Sequence, residues 1–184
     1  SDVYKRQEKD FLKELSSSLI WGRKSILFFV VFGSMCFAAM VQLSFGLRDY
    51  TDDIIQTMMI MIGLILSFSI LFLSLGIVVS ESRETLALMK AFGYTDRECQ
   101  GHILSPYRFW AYLGFVLGTA YQYAIMEILI GVINDTVPEK IEHHFDGNVC
   151  FWTLIGFAVV YESLFYQSNR KLQKQTIKEV LLAE

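Results

Sequence analysis

Four long apolar stretches dominate the chain and are separated by short polar segments. The first two stretches contain no charged residue, the third contains only Glu127, and the fourth contains only Glu162. A bilayer core about 30 Å thick is crossed by about 20 apolar residues in a helix, because lipid offers no hydrogen-bond partner to an open backbone. The pattern therefore predicts an all-α membrane protein with four transmembrane helices. The predicted spans are residues 25–47, 54–80, 109–133 and 149–166.

The polar segments differ sharply in their content of lysine and arginine. Residues 1–24, 81–108 and 167–184 together hold 14 of the 16 basic residues, and only Arg48 and Lys140 lie in the other two loops. Cytoplasmic flanks of membrane helices are enriched in Lys and Arg. The distribution predicts that both termini and the loop between the second and third spans are cytoplasmic.

The overall composition agrees with a membrane protein. The chain has 184 residues, of which 53% are hydrophobic and 19% are charged, and its net charge is −3. Such a charge offers no excess positive field to a nucleic-acid backbone, so we exclude nucleic acid as the main partner. The cysteines Cys36, Cys99 and Cys150 are too far apart for a CxxC zinc motif, and their odd number does not favour a disulfide framework.

Two segments precede the first span. Residues 2–7, DVYKRQ, resemble the translation of a transposon-end adaptor used in preparing sequencing libraries. We therefore expect residues 1–7 to be an artefact and the natural chain to continue upstream of Glu8. Residues 8–24 show an apolar stripe typical of an amphipathic juxtamembrane helix, which lies along the inner membrane surface or is a solvated lead-in helix.

The second apolar stretch continues without proline far beyond the length that a bilayer needs. A single helix over residues 54–92 would be about 58 Å long, so its last three turns are expected to project into the cytoplasm. Gly93 follows as a helix C-cap. Thr95 and Glu98 have the spacing of a capping box, which predicts a second helix to about Ser105, before Pro106. Residues 81–107 should thus form a cytoplasmic helical hairpin.

Two further patterns concern helix packing and the tail. Gly114 and Gly118 form a GxxxG pattern in the third span, and small residues at this spacing allow close helix contact in lipid. Residues 176–179, TIKE, have the form of another capping box and predict a short C-terminal helix.

Motifs for catalysis are missing from the sequence. It contains no GxxxxGK[S/T] phosphate loop, no HExxH and no GxSxG. The intramembrane acids Glu127 and Glu162 serve either polar packing and interfacial solvation or a proton or ion pathway. Acids and histidines also cluster between the last two spans, but they show no recurring ligand spacing, so we expect no metal. This cluster consists of Glu139, Glu142, His143, His144 and Asp146.

The segment that follows the second span resembles a known protein family. The run LGIVVSESRETLALMKAFGYTDRECQGHIL and the tail KLQKQTIKEVLLAE resemble the FtsX-like, MacB-type family of ABC transporter permeases. The match covers about residues 50–184 and departs from the family at Gln175 and Thr176, where a proline is frequent. The resemblance implies that the segment after the second span, together with the following helix, contacts a separate ATPase. The residues concerned are Glu81, Arg83, Glu84, Leu86, Met89, Lys90, Phe92, Gly93, Tyr94, Thr95, Asp96 and Glu98.

The resemblance also implies the cellular setting. It indicates a permease unit over residues 25–184 in a bacterial plasma membrane, with ATP bound by the cytoplasmic partner and no cofactor bound by this chain. The first outer loop is only residues 48–53, so any large external domain is absent or lies upstream. We expect an upstream half of the same permease, or a second copy, as a further partner.

Two other functions remain open from the residues alone. A proton-coupled secondary carrier would use Glu127 and Glu162. A membrane enzyme would use His143, His144 and the neighbouring acids.

Overall fold

The computed structural model describes residues 2–136 and 144–182, and these residues form seven helices and no strand. The all-α fold predicted from the sequence is confirmed. The helices are α1 (Asp2–Gly22), α2 (Lys24–Gly46), α3 (Asp53–Glu81), α4 (Arg83–Ala91), α5 (Asp96–Ile103), α6 (Ser105–Thr136) and α7 (Gly147–Leu182).

The four predicted spans correspond to α2, α3, α6 and α7, each of which contains a segment long and apolar enough to cross a membrane. The third such stretch, Asp96–Thr136, includes α5; α6 alone has 32 residues and is about 48 Å long, so the bilayer needs only part of α6. We call the end of the bundle with α1, α4 and α5 the basic end, and the opposite end, with residues 47–52 and 144–146, the acidic end.

Helix α2 is the central helix, with α6 and α3 packed along it and α7 against both α2 and α3. At two points of the contact with α6, the backbones of the two helices approach each other directly. A Cβ atom at Gly114 would lie 2.5 Å from the Val31 carbonyl oxygen, and one at Gly118 would lie 2.5 Å from that of Met35. The GxxxG pattern therefore faces α2, and only glycine fits at these two positions.

Helices α6 and α7 are held together by aromatic rings instead of close backbone contact. The ring of Phe157 on α7 lies 5.3 Å from that of Phe115 and 5.5 Å from that of Tyr112, both on α6. It also lies 5.4 Å from Phe37 on α2. The large rings keep the two backbones apart and leave a wide apolar cavity of about 750 Å3 beside them.

The structure corrects the prediction of one continuous helix over residues 54–92. Helix α3 ends at Glu81 and α4 begins at Arg83, because Ser82 has ψ 3° instead of a helical value. Hydrogen bonds still bridge the break, since the Ser82 N–H donates to Val78 and the Leu86 N–H donates to Ser82. The chain therefore bends at Ser82, while helical hydrogen bonding continues from α3 into α4.

Helix boundaries at three other places also differ from the predictions. Pro106 lies in the first turn of α6 instead of before that helix. Proline is accepted there because the N–H groups of the first turn have no acceptor within the helix. The predicted short helix at the tail is instead the end of α7, which continues unbroken to Leu182. Helix α1 covers most of residues 8–24 but already begins at Asp2.

Candidate functional site

The α4–α5 hairpin is fixed to the bundle by one buried face. Leu86 and Met89 of α4 are each 3% exposed, and Cys99 and Ile103 of α5 are equally buried. These side chains belong to the same apolar core as Leu104 and the spans. Because these four side chains are buried in the shared core, a movement of the hairpin would disturb the packing of the helices beneath it.

The bend at Ser82 is held by an arginine from the start of α2. The Arg23 guanidinium donates to the Ser82 hydroxyl at 2.9 Å and to the Glu81 carbonyl oxygen at 2.7 Å. Its Nε also lies 3.2 Å from the Glu81 carboxylate. One side chain therefore binds the backbone and both side chains at the junction of α3 and α4.

The turn of the hairpin is built around Gly93. Its φ of 85° lies in the left-handed region that glycine adopts without strain. The N–H of Gly93 donates to the Lys90 carbonyl at 2.9 Å and the N–H of Tyr94 to that of Met89 at 3.1 Å, which is the Schellman arrangement of a helix end. Lys90 also forms an ion pair with Asp96 across the turn at 2.6 Å.

The second helix of the hairpin begins at the predicted capping box. The Glu98 carboxylate accepts from the Thr95 N–H at 2.9 Å and from the Thr95 hydroxyl at 2.8 Å. These hydrogen bonds, the backbone one first, lower the pKa of the Glu98 carboxyl, since they stabilise its charged form. The start of α5 is therefore fixed next to the turn.

The outer face of the hairpin carries two large apolar side chains. Leu88 is 60% exposed and Phe92 is 76% exposed, and their spacing of four residues places them on one side of α4. The other exposed residues of the hairpin are mostly charged or small. They include Arg83, Glu84, Ala91, Thr95, Asp96, Arg97 and Glu98.

The structure thus divides the predicted contact residues into two groups. Leu86 and Met89 face the core and are not available to a partner, and Tyr94 is half-buried against that core. Phe92 is available, and so is Leu88, which the predicted set of contact residues did not include. The repeat of apolar residues along α4 does not reveal which of them face the bundle.

The two intramembrane acids have side-chain partners. Glu162 on α7 accepts a hydrogen bond from Arg108 on α6 at 2.6 Å, and Arg108 also lies 4.4 Å from the centre of the Phe165 ring. Near the acidic end, the Tyr123 hydroxyl donates to Glu127 at 3.1 Å. Glu162 therefore links α6 to α7, and Glu127 has a local partner on its own helix.

We expect the Arg108–Glu162 pair to contribute a small coupling to the stability of the bundle. Both side chains are about 40% exposed, so solvent screens the pair and the coupling should be about 0.5 to 1 kcal/mol. A double-mutant cycle with Arg108→Gln and Glu162→Gln, read from thermal unfolding in detergent, measures it. Additive effects of the two substitutions would show that the pair does not hold α6 against α7.

The predicted absence of a metal concerns residues that are only partly described. Glu139, Glu142 and His143 lie outside the described residues, whereas His144 and Asp146 lie within them. Among residues 2–136 and 144–182, no three His, Cys, Asp or Glu side chains are grouped as metal ligands.

Sequence reasoning missed the two arginines that organise the site. Arg23 and Arg108 were interpreted only as basic flanking residues, although each binds an acid on another helix. Their position could have indicated this role, because each arginine lies at the boundary of a span, where its long side chain can reach a partner on a neighbouring helix.

Comparison with known proteins supports the resemblance found in the sequence. The family model described as FtsX-like permease C-terminal matches residues 57–166, which is 110 of the 184 residues and includes the hairpin. No curated protein and no solved structure matches the chain. With its multi-pass helical fold and a match over more than half of its length, the chain belongs to the family of FtsX-like permeases.

Proposed function

We propose that this permease subunit couples ATP hydrolysis by a separate ABC ATPase to export, or to mechanical work on the far side of the membrane. FtsX-like permeases are generally paired with such an ATPase. In this chain the α4–α5 hairpin is the contact surface. ATP binds to the partner, and this chain contributes no catalytic residue and no cofactor.

The observation that carries the proposal is the pair of exposed side chains on α4. Leu88 and Phe92 form an apolar patch rimmed by charged residues, which is how the energetic centre of a protein interface is usually built. Lipid does not account for the patch, because the charges around it on the hairpin favour water. A partner protein with a complementary pocket would bury both side chains.

The distribution of charge supports a cytoplasmic location for this patch. The basic end contains α1, the hairpin and the last turns of α7, and 14 of the 16 lysines and arginines flank the spans on this side. By the positive-inside rule this end faces the cytoplasm of a bacterial cell, where ATP and the ATPase are found.

The connections of the hairpin supply a route from the ATPase to the spans. Its inner face packs on the core through Leu86, Met89 and Ile103, and Arg23 holds the bend at Ser82 to the start of α2. A displacement of the hairpin would therefore change the tilt of α3 and the spacing of its neighbours. The upstream half of the permease, or a second copy, would complete the transport path.

The proton-carrier alternative gains no support from the geometry. Glu162 is bound to Arg108, and Glu127 to a tyrosine on its own helix, so the two acids do not face one another along a shared path. We therefore assign both to packing.

Replacing the apolar patch should abolish capture of the ATPase. In Leu88→Asp/Phe92→Asp, two carboxylates would enter the interface, and we expect at least a tenfold loss of the ATPase that co-purifies from native membranes. Because both side chains are exposed, the thermal stability of the permease should stay within about 1 kcal/mol of the parent.

The matched control is Phe11→Asp. Phe11 is an exposed phenylalanine of α1 at the same end of the bundle, on a helix that packs against α5 and outside the α4 patch of Leu88 and Phe92, and this variant should capture the ATPase normally. Normal capture by the double variant, or equal loss in the control, would overturn the assignment of the interface.

A further inference from the structure

An apolar groove runs between α3 and α7 on the outside of the bundle. It is lined by Leu64, Ile65, Phe68 and Ser69 from α3 and by Val160 from α7, and has a volume of about 340 Å3. Its α3 wall continues one turn further to Phe72, because residues 65, 68 and 72 share a helix face. The groove therefore leads toward the basic end.

A lysine closes the groove at that end. Lys171 on α7 places its Nζ 4.8 Å from the centre of the Phe72 ring on α3, so its side chain bridges the two walls. It lies eleven residues after Val160, which is about three turns and returns to the same face of α7. The distance along the helix is about 16 Å, close to the half-thickness of about 15 Å of a bilayer core.

The charge around this lysine is entirely positive along α7. Lys174 follows one turn later, and Arg170 lies beside Lys171 with its guanidinium 5.6 Å from the Tyr166 ring. No acidic residue occurs from 163 to 178. Of the acids on α3 and α4 near this end, Glu81 is bound by Arg23 and Glu84 is exposed, and no ion pair joins Lys171 or Lys174 to an acid among the residues that the structure describes.

We infer that this groove holds one acyl chain of an anionic phospholipid from the basic-end leaflet, with the lipid phosphate between Lys171 and Lys174. The apolar walls match a hydrocarbon chain, and the uncompensated cations at the leaflet surface match a phosphate. A second copy of this chain in the same membrane would bring its own basic end against these lysines, where lysines and arginines outnumber the acids. The charge therefore favours lipid over protein as the occupant, and the inference does not depend on the ATPase partner.

Binding of single lipids to the detergent-solubilised full chain tests the site. Native mass spectrometry would be titrated with phosphatidylglycerol and, separately, with phosphatidylcholine. A cation near an anionic lipid is worth about fivefold in affinity, so Lys171→Gln/Lys174→Gln should weaken phosphatidylglycerol binding about 25-fold. Phosphatidylcholine binding should weaken less, because the choline cation already compensates the phosphate of that lipid. The matched control is Lys9→Gln/Lys13→Gln, which removes two exposed lysines of α1 at the same end of the bundle.

A second pair of variants tests the acyl-chain groove. Ser69→Trp fills the groove and should weaken binding of both lipids at least fivefold. Ile77→Trp adds the same ring at an exposed position on another face of α3, outside the groove, and should change neither affinity.

Three results would overturn the inference. They are an unchanged preference for phosphatidylglycerol in the Lys171/Lys174 variant, an equal loss in the α1 control, and normal lipid binding by Ser69→Trp. Detection of a lipid-free dimer in place of a lipid-bound chain would assign the groove to a second copy and overturn it as well.

Discussion

Gly114→Leu or Gly118→Leu is expected to prevent the helix bundle from forming. A Cβ at either position would lie 2.5 Å from a backbone carbonyl oxygen of α2, and backbone atoms, unlike the end of a flexible side chain, cannot move away alone. Accommodating leucine would separate α2 from α6 along their whole contact. We expect more than about 4 kcal/mol of destabilisation, seen as a loss of the monodisperse, thermally folded fraction in detergent.

Two other glycines provide controls in the same membrane environment. Gly76 on α3 and Gly131 on α6 lie within predicted spans and have open space around the position of a Cβ. Gly76→Leu and Gly131→Leu add the same apolar side chain and should leave folding intact. If the four leucine variants were equally stable, the α2–α6 contact described above would be wrong.

Leu88→Pro is expected to separate ATP hydrolysis from transport while leaving membrane insertion intact. Proline at this position, in the interior of α4, removes a helical N–H donor and clashes with the preceding turn, at a cost of about 3 kcal/mol to the helix. Helix α4 lies outside the spans, so the four membrane helices should still form. In proteoliposomes with its ATPase, the variant should hydrolyse ATP with at least a tenfold lower ratio of transport to hydrolysis. Leu88→Ala removes the same apolar contact but keeps the helix, and should retain the parental ratio.

The control for this variant is a proline in the same hairpin at a position that accepts it. Asp96 is the first residue of α5, and the preceding Thr95 already has the extended conformation that proline requires of its neighbour. Asp96→Pro loses only an exposed ion pair with Lys90 and should couple normally. Coupled transport by Leu88→Pro would show that a continuous α4 is not needed.

The features predicted correctly from the sequence are those that depend on neighbouring residues. The four spans follow from runs of apolar residues, and the turn at Gly93 and the capping box of Thr95 and Glu98 follow from local hydrogen bonding. Each of these can be recognised within a window of a few turns.

The features that were missed depend on residues far apart in the chain. The bend at Ser82 is held by Arg23, which lies 59 residues earlier, and Arg108 binds an acid 54 residues later. The burial of Leu86 and the exposure of Leu88 depend on where α4 docks on the core, which a single helix does not specify. For this reason the hairpin could be located from the sequence, but its contact face could not.

The contact of α2 with α6 at Gly114 and Gly118 also has a consequence for the transport cycle. Because no side chain lies between the two backbones at these points, a change of side-chain rotamer cannot alter the distance between α2 and α6. Rearrangement is easier for α7, whose contacts with α2 and α6 are made by aromatic rings, whereas Gly63 brings α3 close to Met40 of α2. Structures trapped with and without nucleotide on the partner should therefore superpose closely over α2 and α6 and differ most in the inclination of α7.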